Sequence, residues 1–158
     1  LLNGDVAVLY ERLLQSLEAG RIAPTARNFQ PQKIYVVRSE AMKKKIAEVT
    51  PCSFNAPVIF VICYDETRAS VSKLYPGHNF GNTDAAIVCT HMMFRATELG
   101  LGSCWVGWFN ENEVREALNI PEHIRVCELL PVGYAAADAK PSLMHKTYRP
   151  AEETIEYI

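Results

Sequence analysis

Gly100-Leu101-Gly102-Ser103-Cys104-Trp105 is the stretch on which the fold turns. It opens as a G-x-G-x-x-G dinucleotide fingerprint would, but Trp105 stands where the last glycine belongs. That fingerprint must also follow a strand and open a helix. Here Thr83 to Leu99 reads as a long helix, so the glycines close an element and a Rossmann site is rejected. Ser103 is not a hydrolase nucleophile either, because Leu101 and Trp105 occupy positions where its sharp elbow needs glycine. Cys104 has no neighbour in the sequence to serve as its base. Read from the residues alone, the stretch is a helix end and a turn. Gly100 follows the helix C-cap, Leu101 to Phe109 is extended or looped, and Trp105 and Trp108 belong to the core.

Working outward, the preceding helix is capped by Asn82 or Thr83 and carries Ala85, Ala86, Ile87, Val88, Met92, Met93, Phe94 and Ala96. A helix apolar nearly all round is either central to a domain or half of a subunit interface. Upstream, Val58 to Tyr64 is a continuous apolar run, the pattern of a central strand covered on both faces. The polar residues Asp65 to Asn82 between run and helix make a long loop. Leu9, Leu13, Leu14 and Leu17 set a helix over Val6 to Ala19, weakened at Gly20 and barred by Pro24. Ile34 to Val37 is a short strand, and Ser39 caps a helix over Glu40 to Val49. Its Lys43-Lys44-Lys45 run is a solvated face. Downstream come a helix over Glu111 to Leu118 and a strand over Val126 to Tyr134, where Pro131 suggests an edge or a bulge. Lys140 to Ile158 is a polar tail with a short apolar end. Helices alternating with strands give an α/β or α+β class, with no repeat and no linker.

The 158 residues suit one domain. A net charge of −2 leaves no cationic excess to release counterions, which argues against nucleic-acid binding. No apolar run reaches the roughly 20 residues of a membrane span, and the opening residues lack a signal-peptide pattern. Cys52, Cys63, Cys89, Cys104 and Cys127 are odd in number and irregularly spaced, so reduced thiols in a cytoplasmic protein are the expectation. The histidines His78, His91, His123 and His145 form no metal motif.

A second feature is the loop Ala23-Pro24-Thr25-Ala26-Arg27-Asn28-Phe29-Gln30-Pro31. Its small residues let a ligand reach the backbone, and Thr25, Asn28 and Gln30 offer groups suited to a polar heterocycle. A turn with local side-chain caps is the plainer alternative. Together with the Gly100 stretch, this loop resembles the nitroreductase family of flavin enzymes, whose first long helix is followed by A-P-S-A-x-N-x-Q-P-W. Here Thr25 replaces the serine and Gln32 the aromatic. The family's D-A-A-x-A…L-G-L-G-S-C-W-x-G segment is similar to Asp84-Ala85-Ala86 through Leu99-Gly100-Leu101-Gly102-Ser103-Cys104-Trp105-Val106-Gly107. Leu129-Leu130-Pro131-Val132-Gly133-Tyr134 and the tail from Tyr148-Arg149-Pro150 to Tyr157 continue the likeness, which covers nearly the whole chain after Leu13.

The resemblance implies an α+β, α/β-sandwich fold: a mixed central sheet flanked by helices, in a homodimer of domain-swapped type. It implies an FMN-dependent oxidoreductase with NAD(P)H as co-substrate. Hydride would pass to the flavin and then to a nitroaromatic, quinone or similar small acceptor. Pro24, Thr25, Ala26 and Asn28 would line the flavin, and the backbone at Trp105, Val106 and Gly107 would approach its ring. No catalytic side chain is implied, because the flavin carries the redox chemistry. The loop Thr67 to Gly81, with Tyr75, His78 and Phe80, is a candidate cover. One departure concerns the phosphate. The family's R-x-S-x-R segment is matched only at its start, by Tyr10-Glu11-Arg12, before Leu13 follows at once. Either a stretch is missing between Arg12 and Leu13 or the grip is weakened, with Arg12 and Arg149 as the matching cations. A non-catalytic or weakly flavin-binding member is therefore the alternative reading. A dehalogenase or flavin-fragmenting relative ranks lower, since those carry extra lid elements.

Overall fold

The computed structural model describes residues 3–158. Its elements in chain order are α1 (Asn3–Arg21), β1 (Gln32–Val37), α2 (Glu40–Val49), β2 (Val58–Asp65), α3 (Gly81–Glu98), β3 (Gly102–Ser103), α4 (Glu111–Leu118) and β4 (Ile124–Gly133). The strands form one sheet in the order β1-β2-β4-β3. Every pairing among the described residues is antiparallel, which corrects the expected mixed sheet.

The alternation within β2 explains its unbroken apolar run. Phe60 and Ile62 face α1 and α3 in a core with Leu13, Val88, Met92, Leu130 and Val132. Ile59 and Val61 face the opposite layer, with Ile46 of α2, Val114 of α4 and Leu129. Each such side chain contributes roughly 1.5–3 kcal/mol on burial. Helices on both faces, rather than strand direction, demand the run.

α1 and α3 lie antiparallel, since Ser16 Oγ donates to the Met92 carbonyl (2.9 Å) and Arg95 reaches back to Gln15. α1 runs on through Gly20, contrary to the expected weakening. A Cβ at Gly20 would stand 2.6 Å from Met92 Cγ, so the glycine is what lets the two helices approach. Ser39 caps α2 as expected, accepting from Met42 N. The N-cap of α3 is Phe80, not Asn82 or Thr83, and no side chain caps it; Asn79 Oδ1, one residue earlier, accepts from Gly81 N (2.7 Å). Gly100 (φ +77°) takes the left-handed conformation expected after the helix.

Pro131 occupies neither an edge nor a bulge. β4 lies between β2 and β3, and the register shift falls at Ile62/Cys63, opposite Cys127. Pro131 is tolerated because its backbone faces the short β3 side, where its carbonyl accepts from Cys104 N (3.3 Å) and no donor is demanded. From Tyr134 to Ile158 every residue is exposed, and the tail's regular structure is two single 3-10 turns, Leu143–Lys146 and Ala151–Glu153.

Candidate functional site

The Pro24 turn leads into β1, whose first residue Gln32 pairs with Tyr64 at the C-terminal end of β2. Val106 bridges Leu129 through a reciprocal pair of hydrogen bonds (2.9 and 3.0 Å), and the chain then runs as Gly107 and Trp108 toward the Ile124 end of β4. Ile124 pairs with Asp65, so both segments reach the same end of the sheet, one beside β1 and the other beside β4. Three strand spacings separate the two edges, roughly 14 Å. The N-terminus of α3 stands between them. Asn82 Oδ1 lies 3.2 Å from the Cys127 thiol on one side, and Asp84 reaches the Pro24 turn on the other.

Within the turn, Arg27 (φ 56°), Asn28 (φ 55°) and Gln30 (φ 50°) all adopt the left-handed conformation. For residues other than glycine this costs about 1–2 kcal/mol each, least for asparagine. Thr25 Oγ1 accepts from Gln30 N (3.0 Å), and the Arg27 guanidinium lies over the Phe29 ring at 4.8 Å. Ala26 N–H donates to Asp84 Oδ1 (2.8 Å). Asp84 is 1% exposed, and its Oδ2 is buried without a partner. Burial pushes its carboxyl above the usual range, against the opposing pull of the Ala26 N–H. Pro24 and Asn28 are exposed, while Thr25 and Ala26 are half-buried.

Gly107 presents bare backbone. A Cβ placed there would meet no heavy atom within 4 Å. Trp105 (37% exposed) and Trp108 (76% exposed) are not core residues, contrary to expectation, because Val106 is the residue of this segment that turns inward. The Trp108 carbonyl accepts from Thr50 Oγ1 (2.8 Å), which anchors the segment to the turn after α2. On β4 nearby, Glu128 is 8% exposed, with Oε2 unpartnered, and burial alone pushes its carboxyl up to about 7. The thiols of Cys63, Cys89, Cys104 and Cys127 are all pushed up, chiefly by burial, so none is primed as a thiolate. Among the described residues no group of His, Cys, Asp or Glu could hold a metal, and no helix is long and apolar enough to cross a membrane.

The two candidate phosphate cations stand apart from this end of the sheet. α1 is continuous through Arg12 and Leu13, so no break marks the expected gap. Arg12 Nη1 donates to Tyr134 Oη (3.2 Å) and lies near Gly100, at the C-terminal end of α3. Sixteen residues of helix and cap separate that point from Asp84, about 24 Å at 1.5 Å per residue. Arg149, in the exposed tail, pairs with Glu153 (3.2 Å). The loop between β2 and α3 is not featureless: Val71 bridges Asn79, and the His78 ring lies 5.9 Å from Tyr75 and 4.6 Å from Phe80.

Asp84 is the residue of the candidate site to which the sequence assigned no role. Its signal was visible, since it is the one acidic residue in the first half of an otherwise apolar helix. Its partner, 58 residues away, was not.

Comparison with known proteins agrees with this fold. Residues 50–134 match the nitroreductase family model. The FMN reductase [NAD(P)H] of Bacillus subtilis is 31% identical over 150 residues, covering 84% of this chain and 60% of that protein. The crystal structure of a nitroreductase family protein from Clostridium difficile superposes with a TM-score of 0.85 at 32% identity, covering 93% of this chain and 85% of that one. A nitroreductase family protein from Clostridium novyi superposes with a TM-score of 0.71, also at 32% identity, covering 78% and 73% of the two chains. A clamped turn after α1, bare glycine backbone beside β4 and an antiparallel sheet between two helical layers thus occur in a chain that belongs to the nitroreductase family.

Proposed function

We propose that this protein is an FMN-dependent NAD(P)H oxidoreductase that works as a homodimer. The observation that carries this reading is the unobstructed Gly107 backbone, at the same sheet end as the Asp84-tethered Pro24 turn. A flat polar ring fits such a place: it can lie against backbone that no side chain covers and meet amide and hydroxyl groups at its rim. When bound, FMN would supply a ring able to take hydride from a reduced nicotinamide and pass two electrons to a nitroaromatic, quinone or similar acceptor. Pro24, Thr25, Ala26 and Asn28 would hold one side of it. The backbone at Trp105, Val106 and Gly107 would approach the ring edge, and the N–H groups of Trp105 and Gly107, unlike that of Val106, are not committed to the sheet among the described residues. An amide donor placed there favours electron density on the ring before any reaction begins. Tyr75, His78 and Phe80 form the aromatic cluster suited to cover the opening and choose the acceptor.

Two features support a dimer. Among the described residues the outer edge of β1 has no partner strand, and Leu143, Met144, Tyr148, Tyr157 and Ile158 of the tail are each at least 79% exposed. A tail crossing to a second protomer would cover both liabilities. Two α3 helices packed antiparallel would also bring one protomer's Arg12 end near the other's Pro24 turn. Arg12 and Arg149 would then reach the phosphate across the interface.

The test is a visible spectrum of the purified protein with and without added FMN, then addition of NADH or NADPH, then of a nitroaromatic. Bleaching and recovery are expected, at a dimeric mass by sedimentation. Protein that takes up no flavin, or sediments as a monomer, overturns the reading. The engagement of Arg12 by Tyr134 and of Arg149 by Glu153 favours a second reading, a member that binds flavin weakly without turnover. FMN titration followed by a turnover assay separates the two.

A further inference from the structure

The Pro24 turn is held from outside. Its own bonds are the Asn28 N–H to the Thr25 carbonyl (2.9 Å), the Phe29 N–H to the Ala26 carbonyl (3.2 Å) and the Gln30 N–H to Thr25 Oγ1 (3.0 Å). Those bonds have to hold three left-handed residues, Arg27, Asn28 and Gln30, of which asparagine alone tolerates that region well. The further restraint is the Ala26 N–H bond to Asp84 Oδ1, at 2.8 Å.

Neither of the ordinary explanations for a buried aspartate applies to Asp84. It does not cap its helix: the N-cap position is Phe80, no side chain caps it, and the Asp84 N–H lies inside the helix, donating to the Phe80 carbonyl (2.8 Å). It belongs to no ion pair among the described residues. A carboxyl that is 1% exposed, with one oxygen orphaned, is costly to keep. A core residue would fill the same space more cheaply. What the carboxyl supplies that an apolar side chain would not is an acceptor for one specific amide, in the middle of the strained turn.

We infer that Asp84 is a positioning residue: through Ala26 N–H it locks the Pro24–Asn28 turn, from the first turn of α3, in the shape that receives the flavin. It acts through Ala26. This inference rests on the FMN reading above. It goes beyond that reading by placing the control of flavin affinity on a helix residue that is not among those expected to line the cofactor. Because burial favours the neutral acid, an amide at position 84 is a close mimic that keeps the acceptor oxygen.

The experiment compares wild type, Asp84→Ala and Asp84→Asn by FMN titration of the flavin-free protein, alongside amide hydrogen exchange over residues 25–30. Asp84→Ala is expected to weaken FMN binding about tenfold and to accelerate exchange at Ala26. Asp84→Asn should restore most of both, a rescue that simple loss of packing would not give. Wild-type affinity in Asp84→Ala, or an Asp84→Asn protein that folds but behaves like Asp84→Ala, overturns the inference. If Asp84→Ala fails to fold, the wild-type Ala26 amide still decides. Slow exchange there, beside fast exchange at Arg27, whose N–H makes no hydrogen bond among the described residues, supports the lock, and equal rates sink it. Failure of wild type to take up FMN would count instead against the functional reading, and the exchange data would stand apart from it.

Discussion

The Pro24 turn and the Gly107 segment flank the sheet on opposite edges and are held there by different means. Two backbone turn bonds and two side-chain acceptors hold the first, Thr25 Oγ1 from within and Asp84 from α3, with three left-handed residues between Ala26 and Pro31. Sheet-type backbone bonds between Val106 and Leu129 hold the second, with Thr50 Oγ1 donating to the Trp108 carbonyl, no left-handed residue from 101 to 109 and no side chain over Gly107. A turn under strain changes shape when one tether is cut, whereas a segment hydrogen-bonded along a sheet edge keeps its path when side chains change. The turn is therefore the tunable half of the candidate site, and the Gly107 segment its fixed half.

Four measurements sharpen or break that contrast. The largest effect is expected beneath the fixed half, at Glu128, whose folded-state carboxyl is raised to about 7. A raised carboxyl stabilises the fold fully below its unfolded value, and that contribution is lost as pH rises through about 7. Wild type should lose up to about 3 kcal/mol of unfolding free energy between acid and alkaline conditions on this account, and Glu128→Gln should not. Urea unfolding at several pH values checks it, and parallel pH profiles would show that Glu128 finds a partner on assembly.

Next is Gly107→Ala. The added methyl meets open space in the protein, so the melting temperature should stay at the wild-type value. The same methyl would stand where a ring must approach, so FMN affinity should fall tenfold or more, about 1.4 kcal/mol. A variant that binds normally would remove Gly107 from the site. Thr25→Ala should cost about 1 kcal/mol of stability, the worth of the Gln30 bond, and should loosen residues 27–30. Equal protection of those amides in variant and wild type would mean that the turn is stiffer than its tethers suggest. The smallest change is expected from Arg149→Ala, whose partner Glu153 is exposed beside it. Thermal stability should not move. The preference for FMN over riboflavin should fall, and an unchanged preference would release Arg149 from the phosphate.

How much of this was legible beforehand depended on how far apart the interacting residues lie. Gly100, Ser39 and the α4 boundaries were readable because caps and left-handed positions are decided within a few residues. The β2 run announced its two-sided burial through composition. The exposure of Trp105 and Trp108 was not readable, since hydrophobicity alone does not say which residue of a short edge segment turns inward. The destination of Arg12 was equally hidden, because Tyr134 engages it from 122 residues away, whereas Arg149 meets Glu153 only four residues on.

The amino-acid sequence by itself narrowed the class to α/β or α+β, with the resemblance implying α+β, and marked most helix ends and the two segments that carry the family likeness, because each is written in local periodicity or in a short motif. Tertiary structure alone decided that the sheet is antiparallel, that Pro131 sits inside it, that Gly20 belongs to a helix, and that Asp84 grips Ala26. Those four outcomes depend on which surfaces meet once the chain has collapsed. A contact spanning 58 residues leaves no periodic trace in the order of the residues between its ends.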